Sequence, residues 1–465
     1  SFLFYNKFAM SANKMNRMML VAARRIWTLA IIAAALILSL ASRHAAAQVE
    51  TLRADAPMIL IPMDFEQTDH LRAYGLAYWC LEAARGYKVQ WLLNYRGGSF
   101  LAPEAREIRD RATVMGVSYR VLDPGEVNRI YHEMTQTNSE AVILDKAPKV
   151  AVYVPPTADP WDDAVRLVLG YAQIPYDTVW DPEVIAGKLS DYDWLHLHHE
   201  DFTGQYGKFY GSFKNADWYL RIVKSAETMA AQLGFSSAQE LKGEVATAIK
   251  DYVRNGGFLF AMCSAPDSLD VALSARGLNI APMEIGGAPM TPGAQDKLDY
   301  SAALAFTDFR IVTDPIAYEI SDIDAITDVP GLNHPRSDFL NPLLAPEFEL
   351  FEFSAKQDPA LSIFVQNHAA RIRFFHGQTT DFRRDRIKDN VVVLADTPGT
   401  DRVRYIHGSL EKGSFTFLGG HDPEDFSHLV GDPQTDVSIH ANSPGYRLIL
   451  NNVLFPSMQK KEKKT

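Results

Sequence analysis

The chain alternates short apolar runs with amphipathic stretches from about residue 55 onward, the pattern of an α/β protein. MILIPM (58–63) reads as a buried strand, HLRAYGLAYWCLEAA as a helix capped by Thr68, and VQWLLN (89–94) as a second strand. PEAREIRDRATVM then reads as a helix and VSYRVL as a third strand, which predicts a small βαβαβ unit over about 55–140. A second series opens after KAPK: VAVYV (150–154), a helix through WDDAVRLVLGYA, YDTVW, a short helix in DPEVIAGKL, and YDWLHLHH. Two longer helical patterns follow, NADWYLRIVKSAETMAAQL and SAQELKGEVATAIKDYVRNG, and then FLFAMC as a buried strand with a helix starting near Pro266. Strands separated by helices of this length predict a parallel sheet flanked by helices on both faces. Residues 280–345 are irregular and rich in Pro, Gly and Asp, as in an insertion or lid. ELFEFS, SIFVQN, RIRFF, VVVLA, RYIHGSL and SFTFLGG read as strands, and PGYRLILNNVLF as a closing helix.

The first 47 residues depart from this pattern. A basic leader, KMNRMMLVAARR, precedes the apolar run IWTLAIIAAALILSLA (26–41), and SRHAAAQ offers an A-x-A-like cleavage site ending at Ala47. This is the layout of a secretory signal peptide, so the expected location is extracytoplasmic, periplasmic or secreted; membrane attachment arises only if that segment stays uncleaved. The chain therefore divides into a leader (1–47), an N-terminal α/β unit (55–147), a main α/β domain (148–456) carrying the 280–345 insertion, and a basic tail (457–465). The 465 residues carry a net charge of -11, which offers phosphates no basic field and argues against a nucleic-acid partner. Of the two cysteines, Cys80 lies in a helical pattern and Cys263 ends a buried strand, so no disulfide is expected.

In parallel sheets, ligands bind beyond the carboxyl ends of the strands. Three polar clusters fall at such ends: LHLHHEDFTGQYGKFY, MCSAPDS and GGHDPEDFSH. Cys263, placed between a strand and a helix N-terminus, is a candidate nucleophile, because helix amides favour thiolate; a buried, inert cysteine is the plainer reading. His421 is the candidate base, with Glu424 orienting it, and Asp422, Asp425 and His428 are further polar groups of that turn. His196 and His198 alternate on one strand face, a spacing that can aim two imidazoles at one divalent metal, with His199, Glu200 or Asp201 as a third ligand. Equally, His196, His198, His199, Glu200, Asp201 and Tyr206 can form one wall of a substrate crevice.

From KVAVYV onward the order of elements, through Cys263 to His421, resembles the class I glutamine amidotransferase-like (flavodoxin-like) fold over about residues 148–456. The strings WLLNYRGGSF, PWDDAV, DYDWLHLHHEDFTGQYGKFY, GGFLFAMCS, GGHDPEDF and SPGYRLILNNVLFP are similar to those of an exported bacterial family whose members often carry the label asparagine synthetase B. The residues do not carry that activity: Cys263 is internal rather than a mature N-terminus, and GGFLFAMCS is a strand rather than an ATP-pyrophosphatase loop. They also depart from glutaminase sites. Ala261 and Ala265 stand where G-x-C-x-G has glycines, and H-P-E becomes His421-Asp422-Pro423-Glu424. Three functions follow as expectations: a Cys/His hydrolase of amide or related carbonyl bonds acting on a small molecule or peptide, a non-catalytic envelope protein binding a small ligand or partner, and a metal-dependent hydrolase centred on His196 and His198.

Overall fold

The computed structural model describes residues 53–156, 163–317, 319–325, 347–373, 375, 379, 381–425 and 433–459. The leader, its cleavage site, His428, residues 326–346 and the basic tail from 460 lie outside them. No helix among the described residues is long and apolar enough to cross a membrane. The chain separates into two compact units, Ser1–Pro57 with Asp123–Glu133, and Met58–Leu122 with Met134–Thr465. In the first, Asn128 brackets Ala54, accepting from its amide at 3.0 Å and donating to its carbonyl at 3.1 Å.

The second unit is α/β and contains two sheets. One is five-stranded, with β1 (Met58–Ile61), β2 (Val89–Leu93), β3 (Ser99–Pro103), β4 (Arg120–Leu122) and β5 (Glu140–Leu144) in the order β4-β1-β3-β2-β5. The three strands expected here are present, but the unit is not a parallel βαβαβ. β3 and β5 are additional, and every pairing is antiparallel. The cause is local: Asn94, Arg96, Gly97 and Gly98 all take positive φ, which folds β2 back onto β3 as a hairpin. The helix His70–Leu81 is capped by Asp69, whose side chain accepts from Arg72 N–H, rather than by Thr68. The Thr68 hydroxyl instead donates to the Gly116 carbonyl at 2.8 Å.

The larger sheet has ten strands: β6 (Val150–Tyr153), β7 (Asp177–Val179), β8 (Trp194–Leu197), β9 (Phe258–Met262), β10 (Glu347–Leu350), β11 (Arg371–Arg373), β12 (Phe382–Arg383), β13 (Val392–Asp396), β14 (Arg402–Leu410) and β15 (Gly413–Leu418). β15, β9, β8, β6 and β7 run parallel in that spatial order. The rest is not parallel as expected. β14 joins β15 through a two-residue turn at Glu411 and Lys412, too short for a crossover, so β14, β13, β10 and β11 continue the sheet antiparallel. SIFVQN, expected as a strand, begins in the helix Pro359–Phe364, which Asp358 caps and Pro359 opens, and its last three residues follow that helix. The central parallel strands β6 and β9 are apolar and buried on both faces because helices cover them: Ala164–Ala172 and Pro444–Leu454 pack with one apolar cluster, Ala238–Arg254 and Ala265–Ser274 with the other.

One close approach within the first cluster is sharply specified. A Cβ built on Gly75 would lie 1.8 Å from the Ala172 carbonyl oxygen, so the helices His70–Leu81 and Ala164–Ala172 touch backbone to backbone there. Gly75→Ala should cost about 1–3 kcal/mol of stability by overpacking, despite about 1 kcal/mol gained in helix propensity. Urea denaturation checks this, and an unchanged or raised midpoint would show that the two helices part freely.

Candidate functional site

Parallel pairing sets the geometry. Leu197 pairs with Ala261 across β8 and β9, and Met262 pairs with Leu418 across β9 and β15. His198, Cys263 and His421 therefore leave neighbouring strands at the same edge of the sheet. Two backbone bonds stitch the exits together: Ala265 N–H donates to the His198 carbonyl and Cys263 N–H to the Gly420 carbonyl, each at 3.0 Å. The three polar clusters of the sequence thus meet over one rim.

Cys263 is fully buried and has φ of +54°. A side chain pays for that left-handed conformation, and glycine is the residue that adopts it freely. The conformation turns the chain sharply from β9 into the Ala265–Ser274 helix, which begins two residues later. Ser264, between them, has a buried hydroxyl with no hydrogen-bond partner among the described residues.

The histidines form a chain. His196 Nδ1 lies 3.1 Å from the Phe260 carbonyl oxygen, His196 Nε2 lies 3.1 Å from His198 Nδ1, and His198 Nε2 lies 2.9 Å from His421 Nδ1. A carbonyl oxygen can only accept, so His196 carries its proton on Nδ1. With one proton per ring, the remaining positions follow: His198 Nδ1–H donates to His196, His421 Nδ1–H donates to His198, and the lone pair is left on His421 Nε2. Asp163 faces the first two rings, with Oδ1 at 3.6 Å from His196 Nε2 and 3.7 Å from His198 Nδ1. Burial would raise its carboxyl, but the His198 and His196 rings and the helix amides outweigh it and hold the group below the usual carboxylate range. Asp163 also caps the Ala164–Ala172 helix, accepting from Val165 and Arg166 N–H. In the sequence Asp163 falls inside the helix expected through WDDAVRLVLGYA, where nothing marks it as a site residue.

The acidic residues of the third turn have other partners. Glu424 lies 3.1 Å from His440 Nδ1, and Asp422 accepts from Tyr446 O–H at 2.7 Å and from Glu424 N–H at 2.9 Å. Nδ1 of His421, which Glu424 was expected to orient, is held by His198, and Glu424 pairs with His440 instead. Burial raises both carboxyls above their usual values.

His199, Glu200, Asp201 and Tyr206 line a cavity of about 910 Å³ together with Ser264 and Ser268. Asp201 accepts from Thr203 N–H at 2.8 Å and its hydroxyl at 2.5 Å, and its carboxyl is raised mainly by burial. Burial, with the charges of Glu200 and Asp201, pushes the Tyr206 hydroxyl well up. Trp180, Phe209 and Trp218 add aromatic wall. Lys208, also lining the cavity, belongs to a buried cluster that sequence reasoning missed: its Nζ lies 2.7 Å from Glu319, 3.1 Å from Asp267 and 3.0 Å from the Thr379 hydroxyl. Lys208 stands 59 to 171 positions from its partners, as in the pairs Lys208–Asp267 and Lys208–Thr379, so spacing carried no signal.

No protein-family model and no curated protein matches the chain. Among solved structures, it is similar to a cytoplasmic protein from Salmonella typhimurium at 11% identity and TM-score 0.30, covering 66% of this chain and 97% of the other. A second cytoplasmic protein, from Salmonella typhimurium LT2, matches at 12% identity and TM-score 0.31, covering 67% and 100%. A catalytic mutant of a GH42 beta-galactosidase from G. stearothermophilus matches at 10% identity and TM-score 0.24, over 64% of this chain and 30% of that enzyme. Likeness at this level carries no argument about function.

The buried cluster generates a pH dependence. Burial pushes the Glu319 carboxyl up to about 7 from 4.5, with Lys208 pulling against the shift and Asp267 adding to it. Between those pH values the folded protein holds a proton that the unfolded chain has lost. Stability from this group is therefore present in full below about pH 4.5 and is lost as pH rises to about 7. Glu319→Gln should flatten that slope in thermal denaturation across the window, and parallel curves for the two proteins would reject it.

Proposed function

We propose that the protein is an exported, amidotransferase-like cysteine hydrolase acting on amide or related carbonyl bonds. The observation that carries the reading is the left-handed φ of Cys263 at a strand-to-helix turn, the backbone of a nucleophile elbow. The strand order also supports it. Numbered by appearance, the parallel strands run 2-1-3-4-5, the flavodoxin-like order. Export rests on the leader sequence alone.

In this mechanism His421 Nε2 takes the Cys263 thiol proton as sulfur attacks the carbonyl carbon. The tetrahedral oxyanion forms beside the amide of Ser264, the elbow position that supplies an oxyanion donor. Collapse breaks the C–N bond, and the amine leaves with the proton held by His421. Water then attacks the thioester as His421 accepts its proton, the C–S bond breaks, and the proton returns to sulfur. The positive end of the Ala265–Ser274 helix favours negative charge on sulfur throughout. The His196–His198 chain holds His421 in the tautomer that leaves Nε2 basic. His199, Glu200, Asp201 and Tyr206 position the substrate in the adjoining cavity.

One observation favours a second reading, a non-catalytic small-ligand protein. The cavity is large and aromatic, and Ser264 rather than Cys263 lines it. The cysteines decide between them. Burial pushes the Cys80 thiol up to about 12, so Cys80 is an internal control. On the hydrolase reading, iodoacetamide modifies Cys263 at least ~10-fold faster than Cys80, and His421→Ala lowers hydrolysis of a carboxamide panel by about 10²–10⁴-fold. Equal labelling of the two cysteines, together with a Cys263→Ala protein that keeps its function in cells, would leave the binding role.

A further inference from the structure

Asp163, His196 and His198 bring three donor atoms into a close triangle, of which the edge between the two ring nitrogens is a hydrogen bond and the two carboxylate edges are not. The carboxylate Oδ1 lies 3.6 and 3.7 Å from the two ring nitrogens, too far for hydrogen bonds, and the nitrogens are 3.1 Å from one another. Three donor atoms on an ion at about 2.0–2.2 Å in tetrahedral geometry stand roughly 3.3–3.5 Å apart. The observed triangle brackets that value. All three residues are at most 3% exposed.

We propose that Asp163, His196 and His198 bind one divalent transition-metal ion, of which zinc is the best fit. Two imidazoles with one carboxylate suit zinc or its neighbours, whereas magnesium and calcium prefer all-oxygen sets. The surroundings are those of a built site. His196 donates its other ring N–H to the Phe260 carbonyl, and Val165 and Arg166 N–H donate to the same Asp163 Oδ1 that faces the rings, which fixes its position. The pair His196 and His198 was the metal expectation from sequence; the third ligand comes from Asp163, not from His199, Glu200 or Asp201. A second group, His198, His199 and His421, also brings three nitrogens within 4.8 Å, but it shares His198 with the first, has no carboxylate, and His199 is not fully buried.

The site bears on the Cys263–His421 reading, and this consequence rests on that reading. A metal on His198 Nδ1 moves the ring proton to Nε2, which then donates to His421 Nδ1. His421 Nε2 must now carry a proton, so the metal-loaded protein has no base at that atom. Zinc acts as an inhibitor.

The full chain, stripped with a chelator, is titrated with zinc ion alone by calorimetry and with cobalt(II) by visible absorption. The expected result is one equivalent bound and a tetrahedral cobalt band. Asp163→Asn, which retains the helix cap, and His196→Gln should each weaken binding by more than ~10-fold, and zinc should raise the Tm of the unaltered protein but not of Asp163→Asn. Cys263→Ala should bind zinc as tightly as the unaltered protein, which separates this site from a thiolate site and from the hydrolase reading. Absence of stoichiometric zinc, unchanged affinity in Asp163→Asn, or loss of binding in Cys263→Ala would each overturn the assignment. Circular dichroism checks that each variant is folded, and Asp163→Asn decides alone if His196→Gln is not.

Discussion

The parallel pairing of β8, β9 and β15 is the constraint on which the site depends. Three strands in register release His198, Cys263 and His421 at one level of the sheet, although 65 and 158 positions separate the successive residues. The amide bonds from Ala265 to His198 and from Cys263 to Gly420 extend that register by one step past the strands. Without them each turn would splay toward solvent, as strand-end loops ordinarily do. Slipping β9 by one residue would send Cys263 to the opposite face.

That register has a local cost, carried at Cys263. A β-region residue there would continue β9, and glycine would adopt the turn without strain; the chain instead holds a cysteine at φ +54°. Buried neighbours over-determine the backbone, since Met262, Ser264, Ala265 and Asp267 are all inaccessible. The same packing dictates the rings. His196 lies nearly parallel to Trp194 and Phe260, at centroid separations of 5.9 and 5.5 Å, so its plane and its bond to the Phe260 carbonyl are fixed together. One carbonyl thus sets the proton positions of three imidazoles.

Much of this was legible in the sequence, and the failures have physical causes. Apolar runs such as VAVYV, WLHL and FLFAM predict buried strands because parallel strands covered on both faces need no alternation. Pairing direction was less legible. Runs like RYIHGSL and SFTFLGG look alike whether parallel or not, and only the two-residue gap between β14 and β15 determines that they form a hairpin. SIFVQN failed because six apolar-rich residues fit either helix or strand, and the decisive signal was Asp358-Pro359 just before it. Cys263 and His421 could be marked as strand-end residues from their own surroundings. Asp163 and the partners of Lys208 could not, since their roles come only from residues distant in sequence.

The histidine chain and the metal triangle use the same atoms, and comparing them shows how little must change between the two states. The Nδ1–H of His196 bonds to Phe260 in both, so the first ring need not turn. Asp163 is held as a carboxylate against the effect of burial by the His198 and His196 rings and the helix amides. His198 and His421 each shift one proton from Nδ1 to Nε2, and neither ring gains or loses charge. The step from a basic to a protonated His421 Nε2 is a change of tautomer along a fixed scaffold, and the opposing states are separated by the location of two protons rather than by a rearrangement of the fold.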